Sequence, residues 1–210
     1  MEASAPVNPR IEPEPPEWQP RALWAGARML CGAAAFFFVS FVFAYFYLRS
    51  LDVNKSWTIG RNVNPSIGLG VAIVVCLIIS AALIGMASRQ APLSLPLTGG
   101  ALALALAAVV LQCIQYANLG FGPANGAYAS VYIGWTATYT VFVLFCAYWI
   151  ETQVASIWRL RRGDVQRPVE AGVPSPEPLL AEAGIRACSF FWTFYVVIGV
   201  ITFVILYLLK

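Results

Sequence analysis

Two glutamines and a tyrosine form the polar group of this sequence whose spacing is best suited to chemistry. Gln112 and Gln115 lie three residues apart and Tyr116 follows, so in a helix the two amides share one face. Such a face could form part of a proton or ion path, or it could join one helix to another. Neither amide titrates, and amides buried in an apolar medium need hydrogen-bond partners. We therefore predict that Gln112, Gln115 and Tyr116 make contacts between helices or with another subunit.

A second group stands at the end of a segment that is rich in phenylalanine. Tyr45 and Tyr47 precede Arg49 there. Amphipathic rings beside a basic residue are typical of the membrane–water interface. The group is either an interface anchor or a lipid-binding surface, and we favour the anchor. In both cases Tyr45, Tyr47 and Arg49 are predicted to contact lipid or the interface.

Histidine is missing from all 210 residues. Imidazole is a usual ligand for haem iron, copper and zinc, and it is the common proton carrier near neutral pH. The five cysteines fall singly in separate apolar segments, which favours packing over metal binding or a disulfide. They are Cys31, Cys76, Cys113, Cys146 and Cys188. We predict that this chain has no catalytic residue, no cofactor and no metal of its own.

The elements that must position these residues are membrane helices. Hydrophobic residues make up 60% of the chain and charged residues 11%, which is outside the range of soluble domains. The 61 residues of 90–150 carry no charge. Because one span needs about 20 apolar residues, this stretch holds two helices joined by the turn-forming residues 118–126. The sequence predicts an all-α, polytopic membrane bundle with five transmembrane helices, at about 22–49, 65–88, 95–118, 127–155 and 185–209.

The basic residues predict the orientation of the bundle. With five spans, nine basic residues fall on the side of the N-terminus and four on the other side. Because positive residues concentrate in cytoplasmic segments, we expect the N-terminus inside. Residues 1–20 are rich in proline and are expected to form a disordered cytoplasmic tail before the membrane domain 21–210, in which 159–184 is a cytoplasmic loop. The net charge of +3 requires no nucleic-acid partner.

Four segments resemble, in order, a known membrane-protein family. Residues 36–49 end in Ala-Tyr-Phe-Tyr-Leu-Arg, 111–116 read Leu-Gln-x-x-Gln-Tyr, 127–134 read Ala-Tyr-Ala-Ser-Val-Tyr-Ile-Gly, and 191–194 read Phe-Trp-Thr-Phe. Together they resemble subunit III of the haem-copper oxidases, in the short five-helix bacterial form. The resemblance implies a multi-pass protein of the bacterial plasma membrane.

The sequence departs from that family at its polar positions. Where the family has glutamates, this chain has Ala34 and Gln115. The family's histidines fall around 137–140, which reads Ala-Thr-Tyr-Thr, and at Thr193, and its aspartate falls at Tyr195. The resemblance therefore implies a scaffold that has lost its titratable groups, and any role in proton uptake is open.

The resemblance implies an accessory subunit of a respiratory cytochrome c oxidase. Such a subunit has no active site of its own, packs beside oxidase subunits I and II, which carry the haem and copper, stabilises subunit I and holds membrane phospholipid. Two alternatives stay open. One is the related small protein that accompanies nitric oxide reductase. The other is a free-standing channel or carrier, in which the hydroxyl-rich fourth span would line a path.

Overall fold

The computed structural model describes residues 18–52, 57, 64–90, 93–163 and 177–209. These residues form five long helices and no strand, and each helix is long and apolar enough to cross a membrane. The helices are α1 (Trp18–Ser50), α2 (Ile67–Ala87), α3 (Leu95–Ala117), α4 (Ala127–Arg162) and α5 (Glu177–Phe203). The prediction of an all-α membrane bundle with five spans is confirmed. That its N-terminus faces the cytoplasm stays a prediction.

Three helices are longer than the apolar segments that predicted them. α1 begins at Trp18 rather than near 22, α4 runs to Arg162 rather than 155, and α5 begins at Glu177 rather than 185. Arginine and glutamate are good helix formers, so a charged residue can end the apolar segment while the helix continues past it. α4 ends instead at Gly163, whose φ of 71° is the left-handed conformation that glycine adopts readily.

These extensions change the predicted tail and loop. The last three residues of the expected tail 1–20 belong to α1, and residues 1–17 lie outside the described residues. Both ends of the expected loop 159–184 are helical, and its middle, 164–176, lies outside the described residues. The predicted connection at 118–126 is present and contains the 3-10 helix Pro123–Asn125, followed by Gly126 with a φ of 129°.

α5 lies at the centre of the bundle and contacts α1, α2 and α4. α3 packs between α2 and α4. Its buried face carries alanines at 101, 105 and 108, and the Ser80 hydroxyl of α2 donates to the Ala101 carbonyl oxygen at 2.7 Å. Small side chains let two membrane helices approach closely, so this alanine face positions α3 against its neighbour.

Aromatic rings fill the space between α1, α4 and α5. The Phe38 ring of α1 lies 6.0 Å from the Tyr139 ring of α4 and 5.6 Å from the Tyr195 ring of α5, both in edge-to-face geometry. Nearby, Phe41 stacks on Trp135 at 5.8 Å. Rings in these geometries attract one another beyond their burial. The phenylalanine-rich segment of α1 therefore places one side in the core of the protein.

Candidate functional site

Gln115 joins three parts of the bundle. Its side chain is 1% exposed. Its Nε2 donates to the Tyr132 hydroxyl of α4 at 3.2 Å and to the Ser66 carbonyl oxygen, just before α2, at 3.3 Å. The amide of α3 thus connects α4 and the start of α2. Gln112 is buried on the same face, one turn away.

Hydroxyl groups continue this network across α4. The Tyr132 and Tyr207 hydroxyls lie 2.7 Å apart. Tyr116 donates to Thr136 Oγ1 at 2.8 Å, and Thr136 donates to the Tyr132 carbonyl oxygen at 2.6 Å. The predicted group Gln112, Gln115 and Tyr116 therefore faces the inside of the bundle. Any additional contact with another subunit stays a prediction.

Tyr207 reaches Tyr132 from an irregular end of α5. Residues Val204–Leu208 form a π-helical turn, closed by the bond from the Leu209 amide to the Val204 carbonyl oxygen at 3.1 Å. Single π turns of this kind are rare and often stand at functional positions. The ring of Tyr207 passes close to α2, where Gly70 leaves room for it. A Cβ at Gly70 would lie 2.7 Å from Tyr207 Cε1.

Side chains of α1 and α4 cap the same end of α5. The last carbonyl groups of a helix have no partner within the helix. Here Tyr128 donates to the Leu206 carbonyl oxygen at 2.6 Å, Tyr45 donates to the Leu209 carbonyl oxygen at 3.2 Å, and Arg49 donates to that same oxygen. Trp57 packs between Tyr45 and Tyr128, with ring centroids 5.2 and 5.9 Å away.

The members of the second predicted group, Tyr45, Tyr47 and Arg49, differ in their exposure. Tyr47 is 53% exposed on the outside of α1, and its contact with lipid or the interface stays a prediction. Tyr45 is fully buried, so its side chain is not open to lipid, and its predicted place at the membrane interface stays a prediction. Its position on α1 faces the end of α5, and its hydroxyl finds a backbone acceptor there. Arg49 is half-buried and binds the same carbonyl oxygen.

The positions that depart from the resembled family lie in different surroundings. Ala34 is buried in the core, and Thr193 is exposed and donates to the Ser189 carbonyl oxygen of its own helix. Tyr139 and Tyr195 stack on each other with centroids 5.2 Å apart and planes at 16°. The Tyr139 hydroxyl donates to the Tyr195 carbonyl oxygen at 3.1 Å. Two of these positions are thus filled by one packed aromatic pair.

Sequence reasoning missed the partners of the predicted residues. Tyr128, Tyr132 and Tyr207 are buried and bonded, and Trp57 supports them. The spacing of Tyr128 and Tyr132, four residues apart, is a sequence signal that two rings share one helical face. The pattern holds no comparable signal for Tyr207, because its orientation depends on the π turn.

Hydrogen bonds join the polar side chains of this arrangement to one another and to the backbone. The described residues contain no group of three or more Cys, Asp or Glu side chains that could hold a metal ion. Neither comparison with protein-family models nor comparison with curated protein sequences gives a match.

Proposed function

We propose that this protein is a divergent subunit III of a respiratory cytochrome c oxidase in the bacterial plasma membrane. It acts as an accessory subunit without an active site of its own. It packs beside subunit I, in a complex whose subunits I and II carry the haem and copper, and it holds membrane phospholipid. Oxygen reduction belongs to the partner subunits.

The ordered resemblance of the four segments carries this proposal, and the stacked pair of Tyr139 and Tyr195 supports its scaffold role. The resemblance assigns a histidine region to 137–140 and an aspartate to 195, and in this chain these positions hold rings that pack on each other. Phe38 and Phe142 pack on the same pair. Because packed rings stand where the resembled family has titratable groups, this region supports a scaffold role.

The use of the other polar side chains supports the same role. Gln115, Tyr116 and Tyr132 all bond to protein atoms of other helices. In a free-standing channel, such groups would face a water-filled path. Here they hold α3, α4 and the end of α5 together, which suits a subunit that contributes rigidity.

Large apolar side chains on the outside of the bundle suit both lipid and a partner helix. Phe36 is 85% exposed on α1, and Val141 and Tyr148 are 64% and 65% exposed on α4. These outward faces are separate from the polar network described above. A subunit of a larger membrane complex needs such faces in addition to its own core.

Affinity purification tests the proposal directly. The chain is tagged, expressed in its own host and purified in mild detergent beside an equally tagged unrelated membrane protein. We expect a haem absorption spectrum and the metal-bearing oxidase subunits with this chain alone. Deleting the gene should lower the yield of assembled oxidase while the turnover per haem is retained, because no ligand comes from this chain.

Other outcomes would contradict the proposal in distinguishable ways. A co-purifying haem protein that reduces nitric oxide instead of oxygen would indicate the reductase-associated protein. A chain that purifies without any haem protein and conducts ions in liposomes would indicate a channel or carrier.

A further inference from the structure

The two amides of α3 each hold one polar atom that no other group of the described residues bonds. Gln112 is 7% exposed and Gln115 is 1% exposed, so both side chains are buried. In the part of the chain that the structure describes, Gln112 Nε2 and Gln115 Oε1 have no hydrogen-bond partner. A buried amide group without a partner destabilises a fold. The two atoms therefore point to a ligand that bonds to both.

The orientation of the Gln115 amide is fixed by its neighbours. The Ser66 carbonyl oxygen only accepts hydrogen bonds, so the nitrogen of this amide must face it, at 3.3 Å. The second hydrogen of that nitrogen goes to the Tyr132 hydroxyl at 3.2 Å. Both Nε2 hydrogens are thus in use, and Oε1 is left as an acceptor.

The hydroxyl groups of the cluster supply a donor for that acceptor. Tyr116 gives its hydrogen to Thr136, and Thr136 gives its own to the Tyr132 carbonyl oxygen. One hydrogen lies between the Tyr132 and Tyr207 hydroxyls, so one of these two tyrosines keeps a hydrogen for another acceptor. When Tyr207 is the donor, the remaining hydrogen belongs to Tyr132, which lies beside both amides.

One water molecule matches all of these groups. Its oxygen accepts from Gln112 Nε2 and from the Tyr132 hydroxyl, and one of its hydrogens goes to Gln115 Oε1. Residues three apart on a helix have Cβ atoms about 5 to 6 Å apart. Two hydrogen bonds through one water span about 5.6 Å, so a single molecule reaches both amides. Buried waters typically make about three such bonds.

The chemistry of the site disfavours other ligands. Its atoms are an N–H group, a carbonyl oxygen and a hydroxyl group. The Gln112 N–H group would repel a cation, and Gln115 Oε1 would repel an anion. Val110 and Ile114 form the exposed, apolar side of the same helix, away from the site. A small neutral molecule that both donates and accepts is therefore the ligand that fits.

We propose that Gln112, Gln115 and Tyr132 bind one internal water molecule. The water accepts from Gln112 Nε2 and the Tyr132 hydroxyl and donates to Gln115 Oε1, while Tyr207 donates to Tyr132. It joins α3 to α4 and, through the two tyrosines, to the end of α5. All of its partners belong to this chain, so the inference goes beyond the proposed function and does not depend on an oxidase.

An experimental structure of the full chain, at a resolution that shows ordered water, tests the site. We expect one density peak about 2.5 to 3.2 Å from Gln112 Nε2, Gln115 Oε1 and the Tyr132 hydroxyl. Gln112→Met removes one partner at similar side-chain volume, so the peak should weaken. Adding Tyr132→Phe removes a second partner and should abolish the peak. Gln153→Met, at a buried amide of α4 outside the cluster, is the matched control and should keep the full peak.

Nuclear magnetic resonance tests the same site in detergent micelles. The side-chain amide of Gln115 should show a rotating-frame cross-peak to water, with the sign of a through-space contact and not of hydrogen exchange. The double variant Gln112→Met, Tyr132→Phe should lose this cross-peak, and Gln153→Met should keep it. Circular dichroism and gel filtration establish that each variant is folded. If the double variant does not fold, the unmodified chain still decides the outcome.

Two results would overturn the water site. One is an unmodified chain without the density peak, for instance with Gln112 Nε2 bonded directly to Gln115 Oε1. The other is a peak of equal strength in the unmodified chain and in the folded double variant, because that water would be held by other groups.

Discussion

The hydroxyl groups of Tyr132 and Tyr207 lie 2.7 Å apart although 75 residues separate them in the sequence. This contact joins the first half of α4 to the π turn that ends α5, and the Tyr132 hydroxyl also accepts from Gln115 of α3. Both rings are buried, so the shared hydrogen bond is shielded from water and lipid. The two tyrosines therefore connect three helices at one end of the bundle.

A double-mutant cycle measures the strength of this contact. Tyr132→Phe should cost more unfolding free energy than Tyr207→Phe, because Tyr132 has a second partner in Gln115. We expect single losses of about 1 kcal/mol and a coupling energy of about 0.5 to 1.7 kcal/mol. The measurement is reversible unfolding by sodium dodecyl sulfate in mixed micelles. Tyr148→Phe, on an exposed ring, is the control, and additive losses at 132 and 207 would contradict the contact.

Gly70 is predicted to be necessary for the close approach of α2 and the end of α5. A Cβ there would lie 2.7 Å from Tyr207 Cε1 and 2.9 Å from Phe203 Cε2. Because both atoms belong to rigid rings, Gly70→Ala should destabilise the protein by about 1 to 3 kcal/mol. Gly68→Ala in the same helix meets only Ser66 Oγ at 3.9 Å and should change stability by less than about 0.5 kcal/mol. Equal stabilities of the two variants in the same unfolding assay would refute the expected clash.

The helices could be predicted from sequence because hydrocarbon imposes a simple rule. Every backbone group must be bonded within a span, so long charge-free segments become helices. The inward direction of Gln115 follows from the same cost of an unpaired amide in an apolar medium. The last residue of α4 and the first residue of α5 could not be predicted in this way. Arginine and glutamate favour helix, so both helices continue beyond their apolar segments.

The partners of the polar residues could not be predicted in the same way. Tyr45 and Tyr47 have the same chemistry and lie two residues apart, yet one is fully buried and the other is 53% exposed. Which of them faces the core depends on the rotation of α1 against α4 and α5. Likewise, the position of Tyr207 depends on a π turn that no residue pattern predicts.

Ser80 is predicted to be a necessary link between α2, α3 and α5. Its hydroxyl donates to the Ala101 carbonyl oxygen at 2.7 Å and accepts from Trp192 Nε1 at 3.1 Å. Ser80→Ala leaves the buried indole N–H without its partner, which should cost about 1 to 3 kcal/mol of unfolding free energy. Thermal unfolding in detergent provides the measurement. Ser40→Ala is the matched control, because that hydroxyl is exposed and bonds only to the Phe37 carbonyl oxygen of its own helix.

Arg49 is predicted to hold the last turn of α5 in place. It shares the Leu209 carbonyl oxygen with Tyr45, and a hydrogen bond to a charged group is worth about 1.5 to 3 kcal/mol. Arg49→Met keeps an unbranched apolar stem and removes the donors, so the π turn should open more often. We expect amide hydrogen exchange in 204–209 to accelerate about ten-fold or more, as measured by mass spectrometry. Arg159→Met at the other end of the bundle should leave that segment unchanged. If exchange in 204–209 were the same in both variants, the cap on α5 would not depend on Arg49.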